Sequence, residues 1–172
     1  MIIVTPEVKE ITRRLSQEVS NLSVTKWNKF MFFIDGAYYA LHGEQISDFT
    51  YIKLQYGPVP RSYNHVINSL VESKVIALRR GVEASMTYLN PGNDRDEKQI
   101  ASLPESASEI VTKAIGVFKT WTAARMSDLS HELKAWKTPQ LGDPIDLKEL
   151  CDDDFLKEKY QEKNWGSLLL KQ

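Results

Sequence analysis

Ser23-Val24-Thr25-Lys26-Trp27-Asn28-Lys29-Phe30-Met31-Phe32-Phe33-Ile34-Asp35-Gly36-Ala37-Tyr38-Tyr39-Ala40-Leu41-His42-Gly43 is the stretch on which the reading of the fold turns. Val24, Trp27, Met31, Ile34, Tyr38 and Leu41 recur at helical spacing, and Phe30, Phe32, Phe33, Ala37 and Tyr39 widen that stripe over most of the surface. A helix apolar nearly all round belongs in the middle of a fold. Ser23 supplies a capping hydroxyl at its start and Gly43 a left-handed stop at its end.

Working outward, Thr5-Pro6 opens an earlier helix whose apolar face is Val8, Ile11, Leu15, Val19 and Leu22. Residues Phe49 to Tyr56 predict a short extended segment. Gly57-Pro58-Val59-Pro60 reads as a turn, because each proline fixes its own φ and forces its predecessor out of the α region. Arg61 to Lys74 is amphipathic and helical. Val75 to Leu78 and Ser85 to Leu89, on either side of Arg79-Arg80-Gly81, predict a β-hairpin. Asn90 to Ala101 is a polar loop. Ser102-x-x-Glu105 and Ser106-x-x-Glu109 are alternative capping boxes for a helix carrying Ile110, Ala114, Val117 and Trp121. A shorter helix carries Met126, Leu129, Leu133 and Trp136, and Asp152 to Lys163 predicts a last, charged one. The expected fold is a single α+β domain over residues 1–172, mainly α: five or six helices around a buried central helix, with one small antiparallel hairpin.

Composition narrows the function. The 172 residues are 42% hydrophobic and 26% charged with a net charge of -1, so no global basic field draws the chain to nucleic acid or acidic lipid. No basic-then-apolar leader and no run long enough for a membrane span is present, which gives a cytoplasmic expectation. The lone Cys151 excludes an internal disulfide, and Asp152, Asp153 and Asp154 beside it should raise its thiol pKa. There is no HExxH and no paired-cysteine motif, and Asp94-x-Asp96 lacks the glycine a calcium loop needs. Neither a metal nor a cofactor is expected. Ser130 and His131 are neighbours on a helix, about 100° apart, so they do not form a nucleophile–base pair. A hydrolase built on His131 therefore ranks behind a structural role, in which His131 hydrogen-bonds a backbone group and locks its helix to the Gly57-Pro58 turn.

Three blocks of this sequence together resemble one family. Lys29 to Gly36 with Asp35, Tyr39 and Gly43, then Tyr56-Gly57-Pro58-Val59-Pro60, then Ser130-His131 followed by Trp136, are similar to the signature of SocA-like Panacea-domain antitoxins, over roughly residues 24–136. The resemblance implies a mainly helical domain, not an enzyme, that binds and neutralises a cognate toxin protein. Some relatives carry an added DNA-binding domain, for which too few residues precede the resemblance here. Partner recognition is expected near the turn, where Tyr39, Tyr51, Tyr56 and Tyr63 gather, since interfaces favour aromatic residues. The alternative is a winged-helix-like transcriptional regulator, with Arg79 and Arg80 at the tip of the wing. The tail Leu168-Leu169-Leu170 is expected to pack back on the core.

Overall fold

The computed structural model describes residues 3–83, 85–93 and 103–171. Helix α1 (Pro6–Glu18) starts as its sequence dictates: the Thr5 hydroxyl accepts from the Val8 amide at 3.3 Å, and Pro6 sits in the first turn. Helix α2 (Val24–His42) is capped by Ser23, which accepts from the Lys26 amide at 3.1 Å, and it stops at Gly43 with φ 75°. Every residue from Lys26 to Tyr38 is buried, so α2 is enclosed on all sides. The Trp27 indole donates to the Thr12 hydroxyl of α1 at 3.1 Å, fixing the two helices in register.

Strands β1 (Tyr51–Leu54) and β2 (Gly57–Pro60) pair antiparallel, with Tyr51 opposite Pro60 and Leu54 opposite Gly57. The stretch from Gly57 to Pro60 is thus a strand rather than a turn, and the reversal falls at Gln55 and Tyr56. The register explains why two prolines are admitted. Arg61 N–H donates to the Thr50 carbonyl at 2.7 Å, so the ladder uses the backbone groups of Val59 and Gly57, and those of Pro58 and Pro60 point away from β1. Proline has no N–H to lose there, and its φ suits an extended edge. The far side of β1 is occupied by residues 142–145: Gly142 N–H donates to the Lys53 carbonyl, Lys53 N–H to Asp143, and Ile145 N–H to Tyr51, at 2.8 to 3.0 Å.

Helix α3 (Tyr63–Glu72) leads to a second antiparallel sheet, β3 (Ile76–Arg80) and β4 (Thr87–Pro91). Arg79 and Arg80 lie within β3, paired with Tyr88 and Thr87, and not at the tip of the hairpin. The strand runs longer than expected because Arg79 packs its guanidinium over the Tyr88 ring, 4.5 Å from the centroid, which supports pairing beyond the core.

Helix α4 (Glu105–Phe118) begins with Pro104 at its cap and no side-chain cap bond, so the box at Ser106 is not used; Ser102 lies outside the described residues. It is followed by α5 (Ala123–Glu132), α6 (Lys134–Lys137), a 3-10 turn at Leu147–Leu150, α7 (Asp154–Tyr160) and α8 (Trp165–Leu170). The class is α+β, mainly α. Among the described residues there are eight α-helices and two hairpins, against the five or six helices and one hairpin expected. The surplus is short: α6 is cut from α5 by extended backbone at Leu133, and α8 has its own cap, Asn164, accepting from Ser167 N–H at 2.8 Å. One apolar cluster runs from Val4 to Leu169. Phe33, Phe118 and Trp165 stack at its centre, with ring centroids 4.9 to 5.9 Å apart, so the C-terminal leucines do fold back, Leu168 and Leu169 both buried. Gly166 makes this possible, since a Cβ there would meet the Ala37 carbonyl of α2 at 2.6 Å.

Candidate functional site

The signature residues meet where α2, β2 and α5 converge. Lys29 projects from α2, only 1% exposed, and its ammonium donates to the Pro58 carbonyl at 3.4 Å. That carbonyl is free because the register turns it away from β1. Ser127 of α5 donates to the Tyr56 carbonyl at 2.7 Å, and Ser130 donates to the Ser127 carbonyl at 2.7 Å. Gly57, at φ 110°, lies under both: a Cβ there would sit 2.7 Å from Lys29 Cε and 2.8 Å from Ser130 Oγ. The two distant blocks of sequence therefore do come together, joined by Ser127 and by the close approach at Gly57.

The expectation for His131 is corrected. It makes no backbone bond to the strand; its Nε2 is buried without a hydrogen-bond partner among the described residues, as is the indole nitrogen of Trp136. The imidazole stacks on Trp136 instead, centroids 4.0 Å apart at 23°. Lys53 places its ammonium 4.0 Å from the Trp136 ring centre and donates to the Pro139 carbonyl at 3.0 Å. Burial, then the charges of Lys29 and Lys53, hold the His131 pKa below its ordinary value against the opposing pull of Asp128 and Glu132. A neutral imidazole suits a nitrogen that has no acceptor to donate to.

Asp35 sits one turn and a half further along α2, fully buried. Its carboxylate accepts from the amides of Ile46 and Ser47 at 3.1 and 3.0 Å, from the Ser47 hydroxyl, and from the Tyr51 hydroxyl at 2.5 Å. It pins both the loop leaving α2 and the first residue of β1. Tyr39 is half-buried near the same loop, and Val59 and Pro60 are buried. Sequence reasoning missed the partners: Ser47 and Tyr51 for Asp35, Ser127 for Tyr56, Lys53 for Trp136. It also missed the partners of Asp153, which caps the helix that starts at Asp154. Asp153 is buried and accepts from Phe155 N–H at 2.9 Å and from Lys134 N–H at 2.7 Å. The thiol pKa of Cys151 is raised, the direction expected, but by burial first and then by Asp146 rather than by Asp152, Asp153 and Asp154.

Residues 27–137 match the family described as antitoxin SocA-like, Panacea domain. The chain belongs to that family. Nothing among curated proteins or solved structures matches it. Within this Panacea domain the signature divides by depth. Lys29, Asp35, Gly57, Pro58 and Ser130 are buried, whereas Tyr56 is 70% exposed beside Leu54 at 37%. Leu141, 66% exposed, stands on the loop bound to Lys53 and so joins the same corner. Arg79 donates to the Asn21 side chain at 3.2 Å and is committed to its own fold. Asp94 and Asp96 lie outside the described residues. No helix among the described residues is long and apolar enough to cross a membrane.

Burial lowers the Lys29 pKa from 10.5 to about 8, and no carboxylate bonds it among the described residues. Between these values the unfolded chain holds the proton and the folded chain does not, so stability should rise with pH across that window. The full span corresponds to about 3 kcal/mol. Lys29→Met removes this titration. The stability of Lys29→Met relative to the parent, measured by urea unfolding, should therefore fall steadily from pH 7.5 to pH 10. A difference that stays constant would show that Lys29 titrates as an ordinary lysine.

Proposed function

We propose that this protein is the antitoxin of a bacterial or phage toxin–antitoxin pair and neutralises its cognate toxin protein by direct binding in the cytoplasm, without catalysis. Membership of the antitoxin family over residues 27–137 is the observation that carries this reading. The geometry supports it. The polar signature side chains Lys29, Asp35 and Ser130 are spent on internal bonds, and they hold up a corner whose outward residues are Leu54, Tyr56 and Leu141. Apolar and aromatic side chains held by a rigid scaffold lose little entropy on docking. An interface of about 1,200–2,000 Å² is expected for a stable complex.

The test is co-expression with the product of the adjacent gene. The parent chain should restore growth and copurify with it. Tyr56→Ala combined with Leu141→Ser should weaken the complex roughly a hundredfold while melting like the parent, because both side chains face solvent. Failure of the parent to restore growth rejects the neutralisation of that toxin. Full rescue by the double variant moves the binding face elsewhere on the molecule.

A further inference from the structure

Three of the four outer edges of the two sheets are closed. Residues 142–145 cover β1; β2 presents Pro58 and Pro60, with the Pro58 carbonyl taken by Lys29; and β4 receives Leu22 and Ser23, with Leu89 N–H donating to the Leu22 carbonyl at 2.8 Å. The remaining edge is β3. Gly92 N–H donates to the Val75 carbonyl and Gly81 N–H to the Met86 carbonyl, so residues 75, 77, 79 and 81 carry the inward ladder bonds. The N–H and C=O groups of Leu78 and Arg80 therefore point outward. No described residue bonds them, and Ala77 to Arg80 are all exposed. No proline or bulge interrupts this edge, although natural sheets commonly block such edges.

We propose that β3 is a docking edge for an acidic, extended segment of a partner protein, added as a third strand. The ladder would be completed by the backbone of Leu78 and Arg80. Leu78, 47% exposed, offers an apolar contact to the residue opposite it. Arg80 shares the face of Leu78, so that face of the added strand meets a guanidinium, while Arg79 on the other face stays over Tyr88 and bonded to Asn21. An acidic residue two places from an apolar one, on the same face, matches Leu78 and Arg80, and opposite charges across a strand pair attract. A second copy of this edge offers Arg80 no such attraction, because residues 76–80 include no acidic residue. Such strand addition takes affinity from the main chain and selectivity from the side chains. The edge lies on a different sheet from the Tyr56 corner, and the inference does not depend on the identity of the toxin.

Amide exchange followed by NMR on the full chain tests it, with the peptide acetyl-Thr-Val-Glu-Glu-Thr-Val-amide as probe. In the free protein the Leu78 and Arg80 amides should exchange much faster than those of Ala77 and Arg79. At ten times its Kd the peptide should slow Leu78 and Arg80 about tenfold. The same peptide N-methylated at alternate residues, or carrying lysines for glutamates, should not, and Arg80→Glu should reverse the preference between the two charges. No protection by the acidic peptide overturns the proposal. So does equal protection by the N-methylated peptide or by a DNA duplex, which would make the edge a simple basic patch. Protection that grows with protein concentration alone would assign the edge to a second copy and also overturns it.

Discussion

Asp35→Ala is expected to lower the free energy of unfolding by on the order of 3–5 kcal/mol in a urea titration, a large part of the 5–15 kcal/mol that holds a domain of this size. The carboxylate is fully buried and serves four donors: the amides of Ile46 and Ser47 and the hydroxyls of Ser47 and Tyr51. Alanine leaves these donors inside with nothing to accept from them, and a buried amide has no second choice. Asp35→Asn keeps one acceptor oxygen in nearly the same shape and should lose about half as much. Tyr51→Phe removes a single donor and leaves the carboxylate three others, so about 1–2 kcal/mol is expected. In the double variant of Asp35→Ala with Tyr51→Phe the two losses should fall well short of adding, since they share one bond. Burial raises the Asp35 pKa above its ordinary value, with the Ser47, Tyr51 and Ile46 bonds opposing it. The folded chain thus keeps this proton to higher pH than the unfolded chain, and the group by itself makes stability fall as pH climbs out of the ordinary aspartate range. Asp35→Asn should lack that component. An Asp35→Ala variant that unfolds at the parent's urea concentration would remove Asp35 from the scaffold.

What could be read from the residues was whatever a local pattern specifies alone. Ser23 and Gly43 bracket an apolar stretch, and both caps form where the sequence places them. Thr5-Pro6 works the same way. The reading failed at Gly57 to Pro60 because proline marks a turn and an edge strand with the same φ; only the register, set by Arg61 and Thr50, separates them. His131 was placed at the right junction with the wrong contact. Stacking on Trp136 follows from an extended link at Leu133 that folds α6 back on α5, and no periodicity in the sequence announces it. Asp35 did carry a signal, an acid inside an apolar helix that must find donors, but nothing local says that residues 46, 47 and 51 supply them. Leu54 and Leu141 carried none, since single exposed leucines are common on any surface.

Gly57→Ala should be the second severe change, and it separates scaffold from binding face. At φ 110° the backbone lies where L-residues are strained by roughly 1–3 kcal/mol. The new methyl would also press on Lys29 Cε at 2.7 Å and Ser130 Oγ at 2.8 Å. Both neighbours are buried, and both are held by bonds of their own, to Pro58 and Ser127. Relief requires β2 to move off α5, which strains the Ser127 bond to the Tyr56 carbonyl and shifts Tyr56 itself. A total loss of about 3–5 kcal/mol is expected from strain and overpacking together. Gly57→Ala should therefore lose both thermal stability and the ability to restore growth beside the toxin, whereas Tyr56→Ala should lose only the second. Adding Ser130→Ala to Gly57→Ala removes the oxygen that the methyl strikes and should recover part of the steric loss, leaving the φ strain in place. If Ser130→Ala instead adds its own loss in full to that of Gly57→Ala, the two residues do not touch, and the junction of β2 with α5 is looser than these distances require.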